Sequence, residues 1–219
     1  MSLCNSFTRF ILFLSILYFT ISSSALAGNR GETILKEGNK QGAPACVSCH
    51  GNDLQGNGDA AIPRLTGLNP AYLKKQLRDI KAGTRSSDIM LPIASKLSDD
   101  DIDAVVEAIA GKKVSATVAV ADAKLVLLGE KIALAGNWSK DNPPCMRCHG
   151  PNGTGVGAHF PALAGQHSSY IEAQLEAWRS GLRKNDPNDL MVGPAKRLAK
   201  EEIKAVAAYF AQLDPNKAQ

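Results

Sequence analysis

The segments Cys46-Val47-Ser48-Cys49-His50 and Cys145-Met146-Arg147-Cys148-His149 share the pattern C-x-x-C-H. Residues of these types at this spacing attach a c-type haem: the thiols bond to the porphyrin's vinyl groups, and the adjacent imidazole supplies the iron with one axial nitrogen. Two intervening residues place both sulfurs near one side of a helical turn, and the next residue can turn its ring onto the metal. Zinc and a thioredoxin-like dithiol are the rival chemistries of a bare C-x-x-C. Zinc would need the pairs to cooperate across the 99 residues from Cys46 to Cys145, yet each pair ends in its own histidine. A redox dithiol is expected once, near a βαβ pattern, and neither motif has strand-rich flanks. Of five cysteines, Cys4 precedes an apolar N-terminal stretch and the motifs use the other four. The motifs therefore predict two covalently bound haem c groups and leave no thiol for a disulfide or a nucleophile.

The sixth iron ligand decides between electron transfer and catalysis. Met1 belongs to the N-terminal stretch, and Met146 lies inside its own motif, too close to His149 to reach the opposite haem face. Met90 and Met191 remain, 40 and 42 residues after His50 and His149. Each falls in a polar, irregular stretch between helices, where a loop can fold over the open face. The expected axial pairs are His50 with Met90 and His149 with Met191. Thioether ligation raises the reduction potential. His159 and His167 are rival ligands for the second haem, but the first repeat has Ala61 and Asn69 in their places. Surface positions or positions beside the haem propionates suit them better. Gly153-Thr154-Gly155-Val156-Gly157 lacks the full nucleotide-binding fingerprint and follows a haem motif rather than a strand, so it reads as a glycine-rich turn.

The elements that position these residues come as an internal repeat. Ile62-Pro63-Arg64-Leu65-Thr66-Gly67 parallels Phe160-Pro161-Ala162-Leu163-Ala164-Gly165 at an offset of 98. The same offset pairs Tyr72 with Tyr170, Gln76 with Gln174, Gly83 with Gly181 and Arg85 with Arg183. An offset of 101 then pairs Met90 with Met191, Ala94 with Ala195, Leu97 with Leu198 and Ile102 with Ile203. Asn69-Pro70 reads as an N-cap with proline at the first helical position, and Gly83 as the stop. Leu73, Leu77 and Ile80 form one buried stripe, matched by Ile171, Leu175 and Trp178 over about Ser168 to Gly181. Ser98 and Asp101 make a capping-box pair ahead of Ile102, Val105, Val106 and Ile109. In the second unit Ala199 replaces the serine, a loss of about 1 kcal/mol. Helices are also expected around Glu32–Asn39 and Ala123–Ala135. Lys112–Ala121 has no helical period and reads as an extended linker. The predicted organisation is an export leader at 1–27, domains at 28–111 and 122–219, and a linker at 112–121.

Arg9 ends a short basic segment, Phe10–Ile21 is apolar, and Ala25-Leu26-Ala27 offers small residues for cleavage, so a periplasmic location is expected. Such a core falls short of the about 20 residues that span a bilayer. Formal net charge is +4. Loss of Arg9 and addition of haem propionates would bring it near zero, and the scattered basic residues give no sign of nucleic-acid binding.

The chain resembles the di-haem cytochromes c4, which join two class I cytochrome c domains in tandem. The resemblance rests on both C-x-x-C-H motifs with Gly51 and Gly150 following, and on the segment from Phe160 to Gln166. It extends through the Tyr170–Gly181 helix, Arg183, and the stretch from Met191 to the last helix. The first unit is looser, with Thr66 where the family has alanine or serine. The resemblance implies an all-α fold of two tandem cytochrome c-type domains, each wrapped around one covalently attached haem. It also implies that the carbonyls of Pro63 and Pro161 accept hydrogen bonds from the histidine Nδ1 atoms, and that the propionates point toward the interdomain interface near Tyr72 and Tyr170.

The function expected is a carrier of single electrons from a quinol-oxidising complex to a terminal oxidase, membrane-associated only through those partners. The alternative is an electron-transfer subunit of a periplasmic dehydrogenase, such as a sulfide-oxidising flavocytochrome. A peroxidase would need an openable iron, and a cysteine-ligated thiosulfate dehydrogenase would need a spare thiol, so no catalytic residue is assigned.

Overall fold

The computed structural model describes residues 30–114 and 121–217. The expected leader at 1–27 and most of the expected linker at 112–121 lie outside the described residues. The first unit holds α1 (helical over 30–37), α2 (Val47–His50), α3 (Pro70–Lys81), α4 (Leu91–Ala94) and α5 (Asp99–Ala110). The second repeats the order as α6 (Ala123–Ala135), α7 (Met146–His149), α8 (Ser168–Ser180), α9 (Val192–Arg197) and α10 (Lys200–Gln212). Among the described residues β-pairing is confined to isolated bridges, and no helix is long and apolar enough to cross a membrane.

Local sequence sets most helix ends. Asn69 Oδ1 accepts from the amides of Ala71 (2.9 Å) and Tyr72 (3.4 Å), and Pro70 follows at N1. At α5 the Ser98 hydroxyl accepts from Asp101 N while the Asp101 carboxylate accepts from Ser98 N, both at 3.0 Å. Arg30 pairs with the same Asp101, so α1 is tied to the start of α5. Burial alone would raise the Asp101 pKa, but its bonds to Ser98 and Arg30 outweigh that and hold it below the usual carboxylate range. At α10 half of the box survives without the serine: Ala199 N donates to Glu202 Oε2 at 2.7 Å.

Each unit has its own core. Leu35, Leu54, Leu73, Leu97, Ile102 and Val105 build the first. Ile132, Ile171, Trp178, Leu198, Ile203 and Phe210 build the second. In both, the first and last helices cross at a glycine: Gly31 in the first turn of α1 against the Ala104 carbonyl, and Gly129 inside α6 against the Ala205 carbonyl. A Cβ at either glycine would overlap that backbone oxygen. Alanine gains up to about 1 kcal/mol in helix propensity. Overpacking against backbone that cannot swing away costs about 1–3 kcal/mol and wins. Gly129→Ala is therefore expected to destabilise the second unit by about 1–2 kcal/mol in thermal or denaturant unfolding, whereas an unchanged or raised midpoint would mean that the helices separate freely.

The units meet through a reciprocal network. Arg85 donates to its own Gln76 (3.0 Å) and across the interface to Gln174 and the Tyr170 hydroxyl, both at 2.9 Å. Arg183 mirrors it, donating to its own Gln174 (2.7 Å) and across to Gln76 (2.9 Å) and the Tyr72 hydroxyl (3.5 Å). The two arginines also form an antiparallel backbone bridge. Each residue here has its repeat counterpart on the other side, as a pseudo-two-fold contact requires. Burial would raise the Tyr170 hydroxyl's pKa, but the two guanidiniums outweigh it and pull it below the ordinary phenol value.

Candidate haem-binding sites

Each C-x-x-C-H segment forms one helical turn, α2 or α7, opened by its first cysteine. That turn leaves Cys49 and Cys148 exposed, half-buries Cys46 and Cys145, and buries His50 and His149. All four thiols are free. Gly51 and Gly150 follow with φ of 81° and 78°, a left-handed turn that glycine adopts without strain and that reverses the chain after each histidine.

The returning chain fixes both imidazoles. His50 Nδ1 lies 2.9 Å from the Pro63 carbonyl and His149 Nδ1 lies 2.8 Å from the Pro161 carbonyl. A carbonyl only accepts, so Nδ1 carries the proton and Nε2 keeps its lone pair for a metal. Burial lowers both pKa values despite the prolyl bonds, which act the other way.

Met90 and Met191 sit at the N-caps of α4 and α9 and are partly buried. Side chains just upstream hold both backbones. Ser87 Oγ accepts from Met90 N at 3.1 Å, and Asp186 Oδ2 accepts from the amides of Met191 (2.8 Å) and Val192 (3.1 Å). Sequence reasoning passed over Ser87 and Asp186, though a small polar residue shortly before each methionine was the available sign. His159 is exposed. His167 lies at the N-cap of α8 and donates from Nε2 to the Gln55 carbonyl across the interface at 2.8 Å, so its ring is engaged in joining the units. Among the described residues no three His, Cys, Asp or Glu side chains converge, which leaves the zinc reading without a site.

These residues fit two haems. Each unit pairs two free thiols with a histidine whose Nε2 is available, and adds a backbone-anchored methionine. In the second unit the buried Trp178 Nε1–H finds no acceptor among the described residues, and the Arg183 guanidinium lies 4.0 Å from the indole centroid. Together they offer a donor and a positive charge to a haem carboxylate.

Comparison with known proteins agrees. Residues 134–214 match the family described as cytochrome c, and residues 33–107 that described as cytochrome c oxidase, cbb3-type, subunit III. Cytochrome c4 of Pseudomonas aeruginosa is 36% identical over 200 residues, covering 90% of this chain and 96% of its own. The chain belongs to the di-haem cytochrome c4 family. Within reach of the same family, a thiosulfate dehydrogenase electron acceptor of Stutzerimonas stutzeri is 43% identical over 194 residues, covering 88% of this chain and 90% of that protein. The solved thiosulfate dehydrogenase (TsdBA) from Marichromatium purpuratum superposes with a TM-score of 0.80 and 42% identity over 85% of this chain. This chain spans 40% of that longer one. As a member of the cytochrome c4 family the chain carries two haem c groups and is an electron carrier, not a catalytic enzyme.

Proposed function

We propose that this protein is the electron-accepting partner of a periplasmic thiosulfate-oxidising dehydrogenase. The observation that carries the reading is the 43% identity to a thiosulfate dehydrogenase electron acceptor along nearly the whole of both chains. It favours the dehydrogenase-subunit alternative over the free carrier between a quinol-oxidising complex and a terminal oxidase. The stoichiometry also suits it. Joining two thiosulfate anions through a new sulfur–sulfur bond releases two electrons, and one di-haem acceptor can take both. Export through the leader at 1–27 would place the chain where c-type haem is attached.

Bound haem supplies a reversible one-electron Fe(III)/Fe(II) couple. The chain's own residues do the rest. Cys46 and Cys49 would hold the first group and Cys145 and Cys148 the second, with His50 and Met90, and His149 and Met191, as the side chains that would ligate the two irons. The Pro63 and Pro161 carbonyls orient the imidazoles and increase their basicity. Met ligation keeps the potentials high enough to accept electrons from a weak reductant.

Oxidised holoprotein mixed with thiosulfate and the Stutzerimonas stutzeri dehydrogenase should gain about two electrons per chain, read in the haem absorption bands, and none without the enzyme. Slow or absent reduction there, with rapid reduction by a quinol-oxidising complex, would restore the respiratory-carrier reading.

A further inference from the structure

Arg64 is the largest fully buried side chain among the described residues, 1% exposed. Its guanidinium makes no ion pair there. Instead it donates to three backbone carbonyls: Thr66 in its own unit, and Ala164 (2.7 Å) and Gly165 (3.2 Å) in the other. Its backbone is also pinned across the interface. Arg64 N donates to Gln166 Oε1 at 2.8 Å, and its carbonyl accepts from Gln166 Nε2 at 3.0 Å.

The positions of those carbonyls matter. Thr66 and Ala164 are repeat counterparts, each three residues beyond the proline whose carbonyl holds a histidine Nδ1. The guanidinium therefore bridges the two loops that orient His50 and His149, and it does so once for the pair. The repeat position of Arg64 is Ala162, so no second cation balances it from the other side. Carbonyl dipoles accept from each of its three nitrogens but leave its net charge in place. Burial pulls its pKa down to about 10, so the group stays protonated at neutral pH. Being buried, its charge is screened little by salt.

We infer that Arg64 is a fixed positive charge shared by both redox sites, one that raises both reduction potentials together. The inference rests on the proposed axial assignments. Reduction adds one negative charge at each iron, so a nearby cation favours the reduced form. At an effective dielectric constant of about 20, a unit charge would shift such an equilibrium by about tenfold if it stood about 12 Å from the iron, and by less at greater distance. Tenfold in a one-electron couple corresponds to about 59 mV. Arg64 is thus a positioning and electrostatic residue that makes the pair a stronger acceptor for both electrons delivered by an oxidised substrate.

The test is spectroelectrochemical titration of holoprotein carrying Arg64→Met or Arg64→Lys. Methionine replaces the buried ion by an apolar chain of similar reach, and leaves the Thr66, Ala164 and Gly165 carbonyls without that donor. It should lower both potentials, each by about tenfold in the one-electron equilibrium, with little dependence on ionic strength. Lysine keeps the charge but loses the three-carbonyl fork, and should hold both potentials near the wild type. An equal fall in the lysine and methionine variants would reduce Arg64 to a packing role. Movement of one potential alone would overturn the shared placement, and movement of neither would overturn the electrostatic role. If Arg64→Met does not fold, the lysine variant decides alone: potentials held near the wild type support the charge, and a fall in both overturns it. The methionine–iron charge-transfer band of the wild type, read in the same cell, reports separately on the ligands: its absence would indict the axial assignment rather than Arg64.

Discussion

Met191→Ala and Met90→Ala are each expected to remove about half of the long-wavelength methionine-to-iron charge-transfer absorption of the oxidised protein, since each would strip one of two equivalent sixth ligands. The ferrous form of either variant should also bind carbon monoxide at one haem per chain, while the wild type should bind none. The expectation stands on symmetry and anchoring. Met90 and Met191 hold the same N-cap position on α4 and α9, and Ser87 and Asp186 fix their backbones from the same side. Loss of the thioether should also lower the potential of the altered haem, because methionine ligation raises it. If neither single variant changes the band, the axial assignments are wrong. Should the ligand instead be a histidine, His159 is poorly placed at the surface and His167 is already bonded to Gln55.

The second large effect concerns folding. A chain with alanine at Cys46, Cys49, Cys145 and Cys148 is expected to lose most of its helical circular-dichroism signal. Each unit is small, and domains of this size bury too little surface to be robust alone. Aromatic residues make up 5% of the sequence, and the two cores rest largely on Leu, Ile, Val and Ala. Small scaffolds of this kind need a staple, and haem linked through two sulfurs supplies both a cross-link and core volume. Far-UV circular dichroism of the quadruple variant with native helicity would show that the polypeptide folds without its cofactor.

Much of this was legible because it is local. C-x-x-C-H is a chemical pattern that needs no tertiary context, and α2 and α7 form on those residues. Asn69-Pro70 and the Ser98/Asp101 pair end helices through bonds spanning two or three residues, which is why α3 and α5 start where the sequence places them. The repeat offsets located Met90 and Met191 by counting. At Ala199 the serine cap is absent, while Glu202 still accepts from the Ala199 amide, a bond that does not depend on the side chain at 199. Gly31 and Gly129 each open a Gly-Glu pair in the sequence, but the reason for a glycine there lies on α5 and α10, whose backbone carbonyls they meet.

By itself, then, the sequence determined the cofactor, the duplication and the helical units, because covalent attachment, capping and helical periodicity act over a few residues. Only the tertiary structure decided how the units face each other. Arg85 and Arg183 had been matched as repeat residues, yet nothing local says that each reaches the other unit's glutamine and tyrosine. Arg64 stands in the sequence only as one position of the repeated Ile62–Gly67 segment, and the fold buries it between two loops almost a hundred residues apart. Burial and charge at such a distance depend on which surfaces meet, and that is fixed by packing rather than by any short run of residues.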